Sequence, residues 1–202
     1  MQNRQIIEPK RSIDVIHETD VLVVGSGPGG LSAAIASARC GVKTTLLERF
    51  GCFGGNITVV GVEGFAWYRH EKTVEAGGIG REFEELAKEM GAAVPESQSL
   101  SYELDSEGFK LVADKLVMDS GIHPMLHRSF SMPIMEGNTI TGVIVESKAG
   151  REAILSKVVI DATGDADVAF RAGAQLNTMP VEELMATSVM FHLAGVDKKA
   201  FL

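Results

Sequence analysis

The sequence predicts an α/β protein built on a mostly parallel sheet, and three consecutive segments lead to this expectation. Residues 20–24 form an apolar run that ends at a glycine, which is the pattern of a strand buried on both faces. Residues 28–40 are small and helix-compatible, with proline near the start and Gly41 just past the end. Residues 43–48 then form a short, partly β-branched strand, which completes one βαβ unit.

The segment after this unit predicts two helices and one further strand. Apolar residues at helical spacing place amphipathic helices inside residues 81–91 and 108–120. Residues 122–127 predict a strand, and Pro124 places that strand at a sheet edge or a bend.

A three-stranded meander is expected next, because Gly137-Asn138 and Ala149-Gly150 are hairpin turns between alternating or β-branched runs. Its last strand, residues 157–160, continues into Asp161-Ala-Thr-Gly-Asp-Ala-Asp167, and a short helix is expected over residues 168–172.

The chain is expected to divide near residue 178, where its character changes. Residues 1–178 would form a cofactor-binding domain, and residues 179–202 would start an incomplete substrate or cap domain. The segment 186–194 is predicted to be the first strand of that second domain.

Composition excludes several classes of protein. The 202 residues are 45% hydrophobic and 23% charged, enough for one sizeable core and one or two domains. The net charge is -8 and no basic cluster is present, so nucleic acid is not an expected partner. The longest apolar runs fall far short of the roughly 20 residues of a membrane span. The N-terminus has no secretory pattern, so we expect a cytoplasmic protein.

Cysteines and histidines give no metal site. Cys40 and Cys52 are too few for a disulfide scaffold or an iron-sulfur cluster, and the five histidines have no metal-ligand spacing. Redox chemistry would therefore need an organic cofactor. We expect Cys40 to be a packing residue and Cys52 to be a small semi-buried side chain rather than a catalytic thiol. No catalytic residue can be assigned, and His70 is the histidine to test first.

Residues 25–30, Gly-Ser-Gly-Pro-Gly-Gly, satisfy G-x-G-x-x-G. Alone this match is weak. Here, however, it lies between a predicted buried strand and a predicted helix, and the acidic residue Glu48 follows 18 residues after Gly30. Gly25 would permit the tight turn, Gly27 would let the backbone approach a pyrophosphate, and Gly30 would let the helix lie against the strand.

The pyrophosphate would then rest on the N-terminus of the helix that starts near Pro28. Glu48 would accept hydrogen bonds from the adenosine ribose and repel a 2′-phosphate, which disfavours NADP. The alternative is a glycine turn in an α/β protein that binds nothing.

Three segments in order resemble the FAD-dependent oxidoreductases of the glutathione-reductase-like class of Rossmann flavoproteins: residues 20–36, 46–56 and 159–167. The likeness covers most of residues 18–175. It implies a Rossmann-type FAD/NAD(P)-binding sheet with an inserted three-stranded β-meander, and it implies that the chain is an N-terminal portion of such an enzyme. The absence of a Cys-x4-Cys pair excludes disulfide reductase chemistry as a direct analogy.

The resemblance extends the candidate site. Thr163, Gly164 and Asp165 would form a second contact zone with the cofactor, the alternative being a plain strand-to-helix turn with Asp165 as a helix cap. The loop at 54–56 would turn backbone N–H groups toward the pyrophosphate and the flavin, or be only a surface turn, and the segment 127–129 would read the adenine edge. The candidate cofactor-binding residues are Gly25, Ser26, Gly27, Pro28, Gly29, Gly30, Glu48, Arg49, Gly54, Gly55, Asn56, Thr163, Gly164 and Asp165.

The expected function is therefore that of an FAD-dependent oxidoreductase, in which the flavin takes a hydride at N5, acts on a small-molecule substrate and passes electrons onward, with NAD(P)H or a protein as the possible electron partner. One alternative is an FAD- or NAD-binding module, or a degenerate subunit, without its own turnover. Another is a non-redox enzyme on the same fold, such as the thiazole-forming or tRNA-modifying relatives, although the acidic composition counts against tRNA.

Overall fold

The structure is a computed structural model that describes residues 5–65, 69–70, 74–75, 77–96, 101–191 and 193–201. The strands are β1 (Val15–Val24), β2 (Thr44–Leu47), β3 (Gly64–Phe65), β4 (Arg69–His70), β5 (Val74–Glu75), β6 (Ala93–Pro95), β7 (Tyr102–Leu104), β8 (His123–Met125), β9 (Ser129–Glu136), β10 (Thr139–Ser147) and β11 (Gly150–Asp161). The helices are α1 (Pro28–Arg39), α2 (Ile79–Glu89), α3 (Ser106–Asp119), α4 (Asp167–Arg171) and α5 (Lys198–Phe201), with a π-helical turn at Asn56–Val60 and a 3₁₀ turn at Val181–Glu183.

One six-stranded sheet, in the order β8-β2-β1-β11-β10-β9, organises the fold. Strand β1 pairs in parallel with β2 and β11, and β8 extends the parallel part beyond β2. Strands β9, β10 and β11 form an antiparallel meander. The predicted fold class, a Rossmann-type parallel sheet with an inserted three-stranded meander, is therefore confirmed.

The C-terminal part of β1, at Leu22, Val23 and Val24, is buried on both faces, as its continuous apolar sequence predicts. Val23 packs with α1 residues Leu31 and Ile35 in a cluster that also receives side chains from α2 and α3. Leu22 and Val24 point to the opposite face, where they pack with side chains of the meander. Helices thus pack on one face of the sheet, and on the other face β1 shares a cluster with side chains of β10, β11 and α4.

Several elements differ from their predicted bounds because of strand pairing. Strand β1 starts at Val15 rather than at residue 20, since residues 15–19 also pair with β11. Strand β11 runs over the whole of Gly150–Asp161 for the same reason, because it pairs with β10 in its first half and β1 in its second. Strand β8, which contains Pro124, lies at the sheet edge as predicted.

The expected strand at 186–194 is wrong for the residues that the structure describes. Residues 186–191 and 193–194 have no regular secondary structure, and the side chains of Val189 and Phe191 are 80% and 72% exposed. A strand forms only where another strand satisfies its backbone groups, and the described part of the chain offers none here. The division into two domains at residue 178 stays a prediction.

Within the described ranges, no helix has the length and apolar character needed to cross a membrane. The same ranges contain no group of three or more His, Cys, Asp or Glu side chains placed to hold a metal ion.

Candidate functional site

The candidate site lies at the carboxyl edge of the parallel strands. Val24, at the end of β1, is paired with Leu47 of β2 on one side and with Asp161 of β11 on the other. The chain therefore leaves all three strands at one level, and Gly25 and Glu48 emerge next to each other. In open α/β sheets, ligands bind in the crevice outside these strand ends.

A cavity of about 460 Å³ opens at this edge. It is lined by the three strand ends and by the segments that follow them. The lining residues are Val24, Gly25, Ser26, Gly27, Pro28, Gly29, Leu47, Glu48, Arg49, Phe50, Gly55, Asn56, Val59, Val60, Arg128, Ser129, Phe130, Ala162, Thr163, Gly164, Asp165 and Asp167.

The glycines of the first loop divide into two groups. Gly25 has φ +95°, and a β-carbon there would lie 2.6 Å from the carbonyl oxygen of Ala162. At Gly30 a β-carbon would lie only 1.9 Å from the carbonyl oxygen of Gly25. A β-carbon at Gly27 or Gly29 would meet no atom of the described structure within 4 Å. Packing thus requires glycine at 25 and 30, whereas Gly27 and Gly29 leave open space beside the backbone.

Helix α1 presents its N-terminus to the cavity. Pro28 occupies its first turn, and Leu31 N–H donates to the Gly27 carbonyl at 2.9 Å. No side chain of the described residues caps this end of the helix. The first-turn N–H groups and the positive end of a 12-residue helix are therefore available to an anion.

Glu48 is buried, with 6% of its surface exposed, and its carboxylate is bound to the first loop. Oε2 accepts hydrogen bonds from the backbone N–H of Ser26 at 3.0 Å and from Ser26 Oγ at 2.6 Å. Oε1 accepts a hydrogen bond from the N–H of Phe50 at 2.9 Å. The acidic side chain predicted to contact a ribose therefore lines the cavity in one fixed orientation.

The loop at residues 54–56 packs directly on the first loop. Gly54 N–H donates to the carbonyl of Ser26 at 2.9 Å, and a β-carbon at Gly55, which has φ +55°, would lie 2.6 Å from Cα of Gly27. Gly55 and Asn56 line the cavity, whereas Gly54 and Gly30 lie behind the lining residues. The alternative of an isolated surface turn does not describe this loop.

Asp161 holds the Ala-Thr-Gly turn in place. Its Oδ1 accepts hydrogen bonds from Thr163 N–H at 3.1 Å and Thr163 Oγ1 at 2.7 Å, and its Oδ2 accepts one from Ala169 N–H at 2.9 Å. Thr163 Oγ1 in turn accepts a hydrogen bond from Asp167 N–H at 2.7 Å. Ala166 is the N-cap residue of α4, so Asp165 is not its cap but an exposed residue at the cavity.

Charged groups of both signs surround the cavity. The Arg49 guanidinium lies 4.7 Å from the centre of the Phe50 ring. Arg128 Nε lies 3.2 Å from Glu152 Oε2, which keeps this half-buried cation close to the lining. Glu48, Asp165 and Asp167 supply the negative charges, whereas the uncapped N-terminus of α1 offers N–H donors and a positive dipole end to an anion.

Sequence reasoning missed several lining residues. Phe50, Val59, Val60, Phe130 and Asp167 line the cavity but were not among the candidate residues, although Phe50 and Asp167 lie inside the matching segments 46–56 and 159–167. Of the segment at 127–129, Arg128 and Ser129 reach the cavity. Their position follows from the crossing of the chain from β8 to β9, where Arg128 N–H donates to the carbonyl of Glu48 at 3.1 Å. A local pattern does not reveal such a crossing.

The structure also places the other candidates. Cys52 is half-buried, with Sγ 3.9 Å from Thr58 Oγ1, whereas Cys40 is exposed, so its predicted packing role is wrong. Cys40 is the C-cap residue at the end of α1. The backbone of His70 lies in β4, which pairs with β5, and its neighbours Trp67 and Tyr68 lie outside the described residues.

A family model described as FAD dependent oxidoreductase matches residues 20–202 of the chain. Among curated proteins, the chain is similar to the thiamine thiazole synthase of Metallosphaera sedula, with 34% identity over 160 residues, or 74% of this chain and 55% of that protein. The thiamine thiazole synthase of Saccharolobus islandicus is 33% identical over 162 residues, or 75% of this chain and 57% of that protein. The chain thus spans little more than half the length of these relatives.

Solved structures share the fold. A geranylgeranyl bacteriochlorophyll reductase-like protein from Thermoplasma acidophilum superposes with a TM-score of 0.58 at 22% identity, covering 79% of this chain and 43% of that one. The THI4 protein of Thermovibrio ammonificans superposes with a TM-score of 0.56 at 22% identity, covering 76% of this chain and 61% of that one. At these identities the likeness concerns the fold.

Proposed function

Since the chain belongs to the FAD dependent oxidoreductase family, whose cofactor is FAD, we propose that it binds FAD in the cavity beside Gly27 and Glu48 and takes part in flavin-dependent oxidation of a small molecule. The observation that carries this proposal is the meeting of an uncapped helix N-terminus and a buried carboxylate at one strand edge. That pair of groups suits the diphosphate and the ribose of an adenine dinucleotide.

The residues present fit the adenosine diphosphate half of FAD. Open space at Gly27 and Gly29 lets a phosphate approach the backbone, which a side chain at either position would prevent. The first-turn N–H groups of α1 supply donors, and the helix dipole favours negative charge there. Glu48 would accept a hydrogen bond from the ribose, and its charge disfavours a 2′-phosphate.

The remaining lining residues are proposed to hold the rest of the cofactor. Gly55 and Asn56 lie beside Gly27, and the turn from Thr163 to Asp165 faces the same cavity from the end of β11. The bound flavin would supply the hydride-accepting chemistry. The chain's own groups would place it and set the local charge. The electron partner, NAD(P)H or a protein, and the cytoplasmic location belong to this proposal as well.

A second candidate function is formation of a thiazole, the activity in the names of the relatives that are 33–34% identical to this chain. It is favoured by that identity and would use the same cavity. The two candidates differ in their chemistry, because only the oxidoreductase needs a bound flavin that cycles between oxidised and reduced forms.

Reconstitution with FAD tests the proposal. The purified protein should retain a visible flavin band after desalting, and NADH, NADPH or a reduced protein donor should bleach it. Gly27→Val, which fills the open space beside the backbone, should remove the band without unfolding the protein. Ser37→Ala, a hydroxyl deletion further along α1, should retain it. Protein that keeps no flavin would contradict FAD binding, and bound flavin that no physiological reductant or substrate bleaches would favour a module without turnover.

A further inference from the structure

The carboxylate of Glu48 has little acceptor capacity left for a ligand. A carboxylate offers about four lone-pair sites, two on each oxygen. Ser26 occupies both sites of Oε2, one through its N–H and one through its hydroxyl. On Oε1, the described structure shows one donor, the N–H of Phe50. One acceptor site therefore remains, and it lies on Oε1.

The bonds to Ser26 have the geometry of strong contacts. The Ser26 Oγ to Glu48 Oε2 distance of 2.6 Å is in the range of a hydroxyl bound to a charged carboxylate. Ser26 has no exposed surface and Glu48 only 6%, so water does not compete for this pair. A ligand hydroxyl would have to displace a buried, charge-assisted hydrogen bond to reach Oε2, whereas Oε1 accepts only one hydrogen bond from the described residues.

We propose that Ser26 is a positioning residue that restricts Glu48 to a single ribose hydroxyl. Resting on the FAD site proposed above, this inference assigns one oxygen of Glu48 to the ligand and the other to the protein. The site then senses one of the two adenosine hydroxyls and is insensitive to the other. Ser26 also lines the cavity, but it sets this selectivity through the orientation of the carboxylate.

Two analogues of FAD distinguish this arrangement from one in which both carboxylate oxygens of Glu48 bind the ribose. One lacks the 2′-hydroxyl of the adenosine, and the other lacks the 3′-hydroxyl. For the wild-type protein, one analogue should bind about 10-fold more weakly than FAD, as expected for loss of a hydrogen bond to a charged group. The other analogue should bind within about 2-fold of FAD. Quenching of flavin fluorescence measures all three affinities.

Ser26→Ala removes the hydroxyl that occupies Oε2 and retains the backbone donor. In this variant, Oε2 gains a free acceptor site, and the second hydroxyl should now contribute, so that the affinities for the two analogues converge. A merely structural role of Ser26 would weaken all three ligands by one factor and leave their ratios unchanged. Ser37→Ala, on the same helix and away from Glu48, should retain the wild-type ratios.

The outcomes distinguish this inference from the proposed function. FAD binding with equal losses for both analogues in the wild-type protein would overturn the single-hydroxyl arrangement and leave the FAD site intact. Ratios that Ser26→Ala does not change would overturn the role of Ser26. Absence of FAD binding in the wild-type protein would contradict both.

Discussion

The carbonyl oxygen of Gly25 lies where the β-carbon of any other residue at position 30 would have to be, at a calculated separation of 1.9 Å. This contact joins the end of β1 to the start of α1 and brings the helix N-terminus to the cavity. Neither partner can move easily, because Gly25 itself has φ +95° and is packed against the carbonyl of Ala162. The first and last glycines of the motif are therefore structural residues.

Gly30→Ala should consequently destabilise the fold by at least about 2 kcal/mol, because a backbone atom and not a flexible side chain blocks the added methyl group. Urea unfolding followed by circular dichroism measures the change. Gly29→Ala is the matched control, since its β-carbon meets no described atom within 4 Å. Its stability should lie within about 1 kcal/mol of wild type, on the stable side if helix propensity dominates. Equal stabilities of the two variants would show that the helix does not lie this close to the strand.

Asp161→Ala should lower the free energy of unfolding by about 2 kcal/mol or more, because it leaves three donors, on Thr163 and Ala169, without their acceptor. The same variant should weaken FAD binding, since the turn at 163–165 loses its support. Asp165→Ala is the control for stability. Asp165 is exposed, so the change should stay within about 0.5 kcal/mol. A greater loss at Asp165 than at Asp161 would reverse these assignments.

Glu48→Gln should weaken FAD binding by about 10- to 100-fold, as expected when a hydrogen bond to a charged acceptor is lost. The new amide nitrogen would also face a donor, either the Phe50 N–H or the Ser26 donors, which disturbs the first loop. Fluorescence titration with FAD gives the affinity, and a thermal unfolding curve separates loss of binding from loss of folding. Unchanged affinity in a folded variant would show that the ligand does not contact Glu48.

We expect His17 to contribute to the change in the free energy of unfolding with pH. Burial, followed by the neighbouring charges of His123 and Lys43, lowers the pKa of His17 from its ordinary value of 6.5. The rings of His17 and His123 are stacked with their centres 4.4 Å apart, and His17 Nε2 lies 2.9 Å from Thr45 Oγ1.

The folded state binds a proton at His17 less readily than the unfolded state does. The contribution of His17 to the free energy of unfolding is therefore present in full above the pKa that His17 has in the unfolded state. It is lost as the pH falls below that value and through the lower, folded pKa. Urea unfolding at about pH 7.5 and about pH 5.5 should therefore show a smaller loss of stability for His17→Gln than for wild type. Identical losses in the two proteins would contradict the assignment.

Local signals in the sequence were sufficient for the βαβ unit, the two hairpin turns and the junction of loop and helix. They were not sufficient where pairing with a distant strand sets the bounds of a strand. Strand β1 extends back to Val15 because it pairs there with β11, more than a hundred residues later. The small sheet of β3, β7 and β6 was also missed. Its strands have only two or three residues, too few to show an alternating pattern in the sequence.

The candidate site shows the same limit. The sequence predicted an acidic residue after β2, but the two bonds from Ser26 that orient Glu48 depend on the relative placement of two strand ends. Arg128 reaches the cavity only because the chain crosses from β8 to β9 beside Glu48, and no local pattern encodes that crossing.

Calorimetric titration of the purified protein with FAD and with AMP tests most directly whether an adenine dinucleotide binds between helix α1 and Glu48. FAD should bind at least about 10-fold more tightly than AMP, because AMP lacks the diphosphate that the helix N-terminus is proposed to hold. Equal affinities for FAD and AMP would contradict the account, since the N-terminus of α1 would then hold no diphosphate.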